Sequence, residues 1–201
     1  MITRRTALAT LAATTLPGSI AFAQDDAITI PEMRLGNELA KVTVTEYASF
    51  TCPHCANFHA NTYPQLKANY IDTDKINFIY REVYFDRFGL WGAMIARCDP
   101  SKYFGIADML YDRQGDWSRA GEPAEIVAAM RKIGLVAGLS NEQLDTCMND
   151  QKTAEAMVAR FQETSTQDDV NSTPTILVNG TKYGNLPYAE LAEIIETELG
   201  K

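Results

Sequence analysis

The sequence predicts an α/β domain whose sheet-forming segments are interrupted by an all-helical block. Three observations carry that prediction. Val42 to Phe50 alternates, with Val42, Val44, Glu46 and Ala48 on one face, and Lys75 to Phe85 is rich in β-branched and aromatic residues, so both read as strands. From Gly89 to about Asp169 the spacing turns helical, in runs separated by Asp99-Pro100, Gly115, Gly121 and Gly134. Thr175 to Val178 and Thr181 to Tyr183 then flank Asn179-Gly180, the dipeptide of a tight hairpin turn, before an amphipathic helix from Pro187 to Leu199.

At 201 residues, 46% apolar and 22% charged, the chain can bury a sizeable core and is not a disordered tail. Its first 23 residues read as a cleavable export signal. Arg4-Arg5 precede the short apolar stretch Ala7 to Leu16, and Ala21-Phe22-Ala23 forms an A-x-A cleavage site. The stretch is too short for a membrane anchor, which needs about 20 apolar residues. The paired arginines admit either twin-arginine or ordinary Sec export. Such a signal points to the periplasm, where disulfides persist. Loss of Arg4 and Arg5 with the signal takes the formal charge from −8 to −10, which disfavours nucleic-acid binding.

In order, Gln24 to Lys41 is a polar lead-in with one extended piece, Ala27 to Ile30, stopped by Pro31. The strand Val42 to Phe50 runs into Thr51-Cys52-Pro53-His54-Cys55. Pro53 suits the first turn of a helix, since it lacks an N–H that would find no partner there. That helix continues to about Tyr70, with a kink at Pro64. The expected organisation is therefore a signal over 1–23, a first α/β part over 24–88, the helical domain over 89–169 and a second α/β part over 170–201. Trp91, Trp117, Phe104 and Tyr103 read as core or cap residues of the helical block, and Glu190, Glu193 and Glu196 as a solvated face of the last helix.

Two cysteines separated by two residues at a strand-to-helix junction can close a small-ring disulfide. The first sulfur lies at the helix N-terminus, where free N–H groups and the helix dipole favour a thiolate, so Cys52 is the attacking sulfur and Cys55 the resolving one. His54 adds a donor and partial positive charge beside Cys52. Stabilising the thiolate stabilises the dithiol, which makes the disulfide the stronger oxidant. The alternative is a zinc site. Cys98 and Cys147 are 49 positions apart with no histidine near either, and only His59, on the face of Cys55, could complete a Cys-Cys-His set; it otherwise reads as a surface or packing residue.

The segment Glu46-Tyr47-Ala48-Ser49-Phe50-Thr51-Cys52-Pro53-His54-Cys55 resembles the active-site segment of the DsbA family of thiol:disulfide oxidoreductases. Similarity runs from about Gly36 to the C-terminus and includes Thr173 to Gly180. The resemblance implies a thioredoxin-like fold with an inserted helical domain, and Pro53-His54 is the dipeptide typical of its oxidising members. It implies a cis Pro174 lying against the active disulfide, with Thr173 turned toward Cys52; Thr173 departs from the valine best known there and also occurs in isomerase-type relatives. It favours a buried Glu46, whose carboxyl could exchange a proton with Cys55, over a carboxylate reaching water at a strand end. With Cys52 and Cys55 paired, Cys98 and Cys147 remain as a structural disulfide, as in some relatives, or as a second redox pair.

The expected activity is a periplasmic protein-disulfide oxidoreductase, a dithiol oxidase that needs no cofactor and no metal. Its partners would be reduced exported polypeptides and, by resemblance, a DsbB-type membrane quinone reductase that reoxidises it; the chain is expected to be a monomer. The rivals are an isomerase or reductase of the same fold, and a non-catalytic binding domain, against which the intact Cys52, Cys55 and Pro174 count.

Overall fold

The computed structural model describes residues 28–201; the expected signal over 1–23 and the residues to Ala27 lie outside them. Five strands form one sheet in the order β1-β3-β2-β4-β5. The centre is β2 (Val42–Ala48), parallel to β3 (Ile76–Glu82) on one side and antiparallel to β4 (Thr175–Val178) on the other. A parallel pair needs a crossover, which α1 (Pro53–Asn61) and α2 (Tyr63–Leu66) supply before a π-helical turn at Lys67–Ile71. The two helices meet at Thr62, still in the right-handed helical region, two residues before Pro64, whose missing N–H interrupts the hydrogen-bond ladder.

The lead-in differs from expectation. The strand β1 (Met33–Gly36) follows Pro31 and replaces an extended piece ending at Ile30, which is buried without joining the sheet. Its register against β3, Met33 opposite Tyr80 and Leu35 opposite Phe78, turns Met33 into the core. A four-residue strand with one buried residue carries too weak an alternation to be read from sequence.

Between β3 and β4 lie α3 (Arg87–Arg97), a 3₁₀ turn, α4 (Tyr103–Asp112), α5 (Gln114–Trp117), α6 (Pro123–Val136), α7 (Asn141–Met148) and α8 (Gln151–Gln167). Local chemistry sets their ends. Asp86 accepts from the amides of Phe88 and Gly89, Ser140 and Gln143 form a capping box, and Asp150 caps α8. The hairpin closes into β5 (Thr181–Tyr183) through Asn179 and Gly180, both at positive φ, as a primed turn requires. α9 (Tyr188–Leu199) completes the fold, with Leu191 and Ile195 buried and Glu190, Glu193 and Glu196 exposed.

The helices and the sheet share one core, in which Val44, Phe58, Phe78, Ile95, Leu110, Ile133 and Leu144 are all buried. Trp117 and Tyr103 are fully within it, while Trp91 and Phe104 are partly exposed. On the other sheet face α8 covers Tyr47, and the Tyr47 hydroxyl donates to Asp168 Oδ2 at 2.6 Å. Arg81 donates to that hydroxyl and to Asp168, and forms an ion pair with Glu32 at 3.0 Å. Glu82, at the end of β3, accepts two bonds from Arg97 at 2.6 and 2.8 Å and one from Tyr103 at 2.7 Å. Immediately after Arg97, Cys98 is disulfide-bonded to Cys147 of α7.

Closing a loop across 49 positions restricts the unfolded chain, and replacing Cys98 and Cys147 with alanine together is expected to lower stability by up to about 4 kcal/mol in urea titrations. An unchanged midpoint would contradict a structural role for this pair.

Candidate active site

Cys52 is the N-cap of α1, in extended conformation, and Pro53 follows at N1. Its amide donates to Ser49 O at 3.0 Å, so the chain turns sharply where the central strand hands over to the helix. The insertion holds this turn from two sides. Gln114 Nε2, buried at the start of α5, donates to Phe50 O at 2.8 Å and to Cys52 O at 2.9 Å. Thr51 Oγ1 donates to Asp86 at the start of α3. A Cβ on Gly89 would come within 3.2 Å of Ser49 Oγ, so the absence of a side chain allows α3 to approach.

Both Cys52 and Cys55 are free thiols here, and their environments diverge. A hydrogen bond from Cys55 is the main cause that brings Cys52 down to about 5; burial opposes it, and the Thr173 hydroxyl and the backbone amides of Cys55 and His54 assist. The Cys55 thiol is pushed far up, chiefly by burial, with the bond to Cys52 and the nearby Glu46 carboxylate adding to it. The exposed His54 therefore assists Cys52 through its backbone amide at the helix N-terminus.

The Thr173–Pro174 peptide is cis. Cys52 Sγ lies 3.6 Å from Thr173 O, to which the thiol donates. Thr173 Oγ1 is buried with no hydrogen-bond partner, and the Thr173 side chain is among the groups that bring Cys52 down.

Glu46 is completely buried, directly below the motif on β2. Both its carboxylate oxygens lie close to His59 Nε2, at 3.1 and 3.2 Å. Of the two readings of His59, surface or packing, the structure overturns the first and bears out the second: the ring is buried, stacks on Tyr111 and lies against Tyr63, and it is also the partner of a buried carboxylate. Among the described residues no group of three His, Cys, Asp or Glu is placed to hold a metal ion. The four-residue spacing from Cys55 was the available signal; the partner on β2 was not. Gln114 had no signal at all, because an amide that reaches two carbonyls about 60 positions earlier leaves no local pattern.

Fold and site together define a class: a dithiol protein with the thioredoxin arrangement, its CxxC at the first turn of the crossover helix, opposite a cis proline. The comparisons agree. A family model described as Thioredoxin matches residues 29–197. A Rickettsia felis protein whose name describes it as a protein-disulfide oxidoreductase is 31% identical over 185 residues, covering 91% of this chain and 64% of its own length. The chain thus spans less than two thirds of that relative. Disulfide bond formation protein D of Bacillus subtilis is 27% identical over 82% of this chain and 76% of its own. The crystal structure of Wolbachia pipientis alpha-DsbA1 superposes with a TM-score of 0.78 at 25% identity, covering 86% of this chain and 94% of that one. The chain belongs to the thioredoxin superfamily, in its DsbA family, with a helical insertion between β3 and β4.

The split between the two thiols predicts a pH dependence. Cys52 ionises at about 5 in the folded dithiol form, against about 8.5 in an unfolded chain. The folded value is depressed, so its stabilisation is complete above the unfolded value and is lost as pH falls through about 5. The disulfide form lacks this thiol. Denaturant titrations of both forms should show the stability of the dithiol form, relative to the disulfide form, falling between about pH 8 and pH 4. A difference independent of pH would contradict the assignment.

Proposed function

We propose that this protein is a protein thiol:disulfide oxidoreductase that works as a dithiol oxidase on exported polypeptides. The observation that carries the reading is the divergence of two thiols one helical turn apart, Cys52 brought down to about 5 and Cys55 held neutral by burial.

In the disulfide form, a thiolate of an extended substrate attacks Cys52 Sγ. The Cys52–Cys55 bond breaks and its electron pair leaves on Cys55, which takes up a proton. A second substrate thiol loses its proton and attacks the substrate sulfur of the mixed disulfide. Cys52 departs as a thiolate, stabilised by Cys55, Thr173 and the first amides of α1. The substrate is oxidised by two electrons and the enzyme disulfide reduced by two. Pro53 starts the helix without contributing an unpaired donor, and His54 supplies a backbone amide. Pro174 and Thr173 present the backbone edge beside Cys52 to which an extended substrate can pair. Glu46 exchanges the proton with Cys55.

Residues 1–23 direct the chain to the periplasm and are removed there. The reoxidant is a membrane quinone reductase of the DsbB type, which takes both electrons and restores the disulfide, and the enzyme acts as a monomer. Cys98–Cys147 is structural. The inserted helical domain, residues 89–169, braces the active-site turn through Gln114.

The test is the equilibrium of the Cys52–Cys55 pair with glutathione. An oxidase should have a potential well above the about −270 mV of thioredoxin. A value at or below that level would make the protein a reductase.

A further inference from the structure

Cys55 needs a proton when its disulfide opens, and the buried Glu46 carboxylate that acts on it has a histidine partner. His59 is buried on α1, four residues after Cys55, and its Nε2 is shared between the two oxygens of Glu46. Its ring is stacked on Tyr111 at 4.1 Å between centroids and lies 4.5 Å from Tyr63. Its other nitrogen, Nδ1, is buried with no hydrogen-bond partner. Apart from Glu46, the titratable groups that face the ring are Tyr63 of α2, Tyr80 of β3, Tyr111 and Asp108 of α4, and Cys55 on its own helix. The tyrosines stay neutral, since burial drives Tyr80 and Tyr111 well above their ordinary range, and their hydroxyls bond to each other at 2.5 Å. Half-buried Asp108 is also raised by burial and feels the charge of His59.

We infer that the Glu46–His59 pair is a proton store for Cys55, with His59 as the positioning residue that lets the buried carboxylate hold a transferable proton. The inference rests on the oxidase reading above. When the substrate attacks Cys52, the electron pair of the broken S–S bond arrives on Cys55 next to Glu46. Two negative charges would then share one water-poor site, which is strongly unfavourable. With one proton on the pair the site is neutral before attack. That proton moves to Cys55 Sγ, forming S–H, and leaves neutral His59 bonded to the Glu46 carboxylate. Net charge in the site becomes −1 in place of −2. The pair is recharged from the proton lost by the second substrate thiol. A protonated Cys55 cannot re-attack Cys52, so the mixed disulfide persists until that second thiol arrives.

The experiment is stopped-flow reduction of the disulfide form by dithiothreitol across about pH 5 to pH 9, with rates divided by the thiolate fraction of the reagent. Wild type should show a residual proton-linked step. His59→Gln, which keeps an N–H for Glu46 but cannot accept a further proton, should lose that step and react about tenfold or more slowly on its acid side. Adding Glu46→Gln should cost little more, because the two act as a unit. A wild-type profile retained in His59→Gln, or a slowing equal at every pH, would overturn the inference. Failure of wild type itself to oxidise the dithiol would instead remove the oxidase reading. Should His59→Gln not fold, ring ¹⁵N signals decide on wild type, which has only two histidines. His59 signals that follow the kinetic step support the store, and signals invariant with pH overturn it.

Discussion

A sulfur held at the first turn of a helix is the constraint on which the rest of this molecule depends. The amides of His54 and Cys55 have no carbonyl ahead of them in α1, and they point at Cys52. Everything around the motif preserves that placement. The central strand delivers the chain to the turn, Pro53 fixes the helix start, and Gln114 of the insertion and Asp86, the cap of α3, grip the turn from outside. The helical insertion is therefore more than a cover. Without Gln114, two carbonyls at the turn would lose their buried donor.

The second constraint is the opposite environment one turn further on. Cys55 is fully buried, with Glu46 and His59 below it. Burial keeps its proton, and the Cys55 thiol so retained donates to the Cys52 thiolate, the main cause that brings Cys52 down, with Thr173 and the helix-end amides assisting. The same burial that makes Cys55 a poor nucleophile makes Cys52 a good leaving group. Cys98 and Cys147 have neither feature. They tie the C-terminal end of α3 to the last turn of α7, beside the Arg97–Glu82 pair, and neither sits at a helix N-terminus.

The order of strands and helices was legible because each long element carries its own period, and the hairpin because Asn179-Gly180 has few conformational alternatives. The placement of the CxxC at a strand-to-helix junction was legible because Pro53 marks a helix start directly after an alternating strand. β1 was misplaced, since a short edge strand is specified by its partner Ile76–Glu82 and not by its own residues. The carboxylate partner of His59 was missed for a related reason. A histidine on α1 says nothing of the carboxylate on β2 that meets it, and only the packing of helix on sheet brings the two to 3.1 Å. Gln114 was missed because its partners are backbone atoms, which any sequence has. What sequence conveys well here is local geometry; what it hides is pairing across layers.

The central claim is that one fold element splits two chemically identical thiols. Its most direct test is a titration of thiolate ultraviolet absorbance in the reduced protein, with Cys52→Ala resolving the two sulfurs. One thiolate should appear with a midpoint near 5 and belong to Cys52. Cys55 should contribute none up to the pH at which an ordinary cysteine, at about 8.5, has ionised. Two thiolates appearing together near that ordinary value would contradict the account.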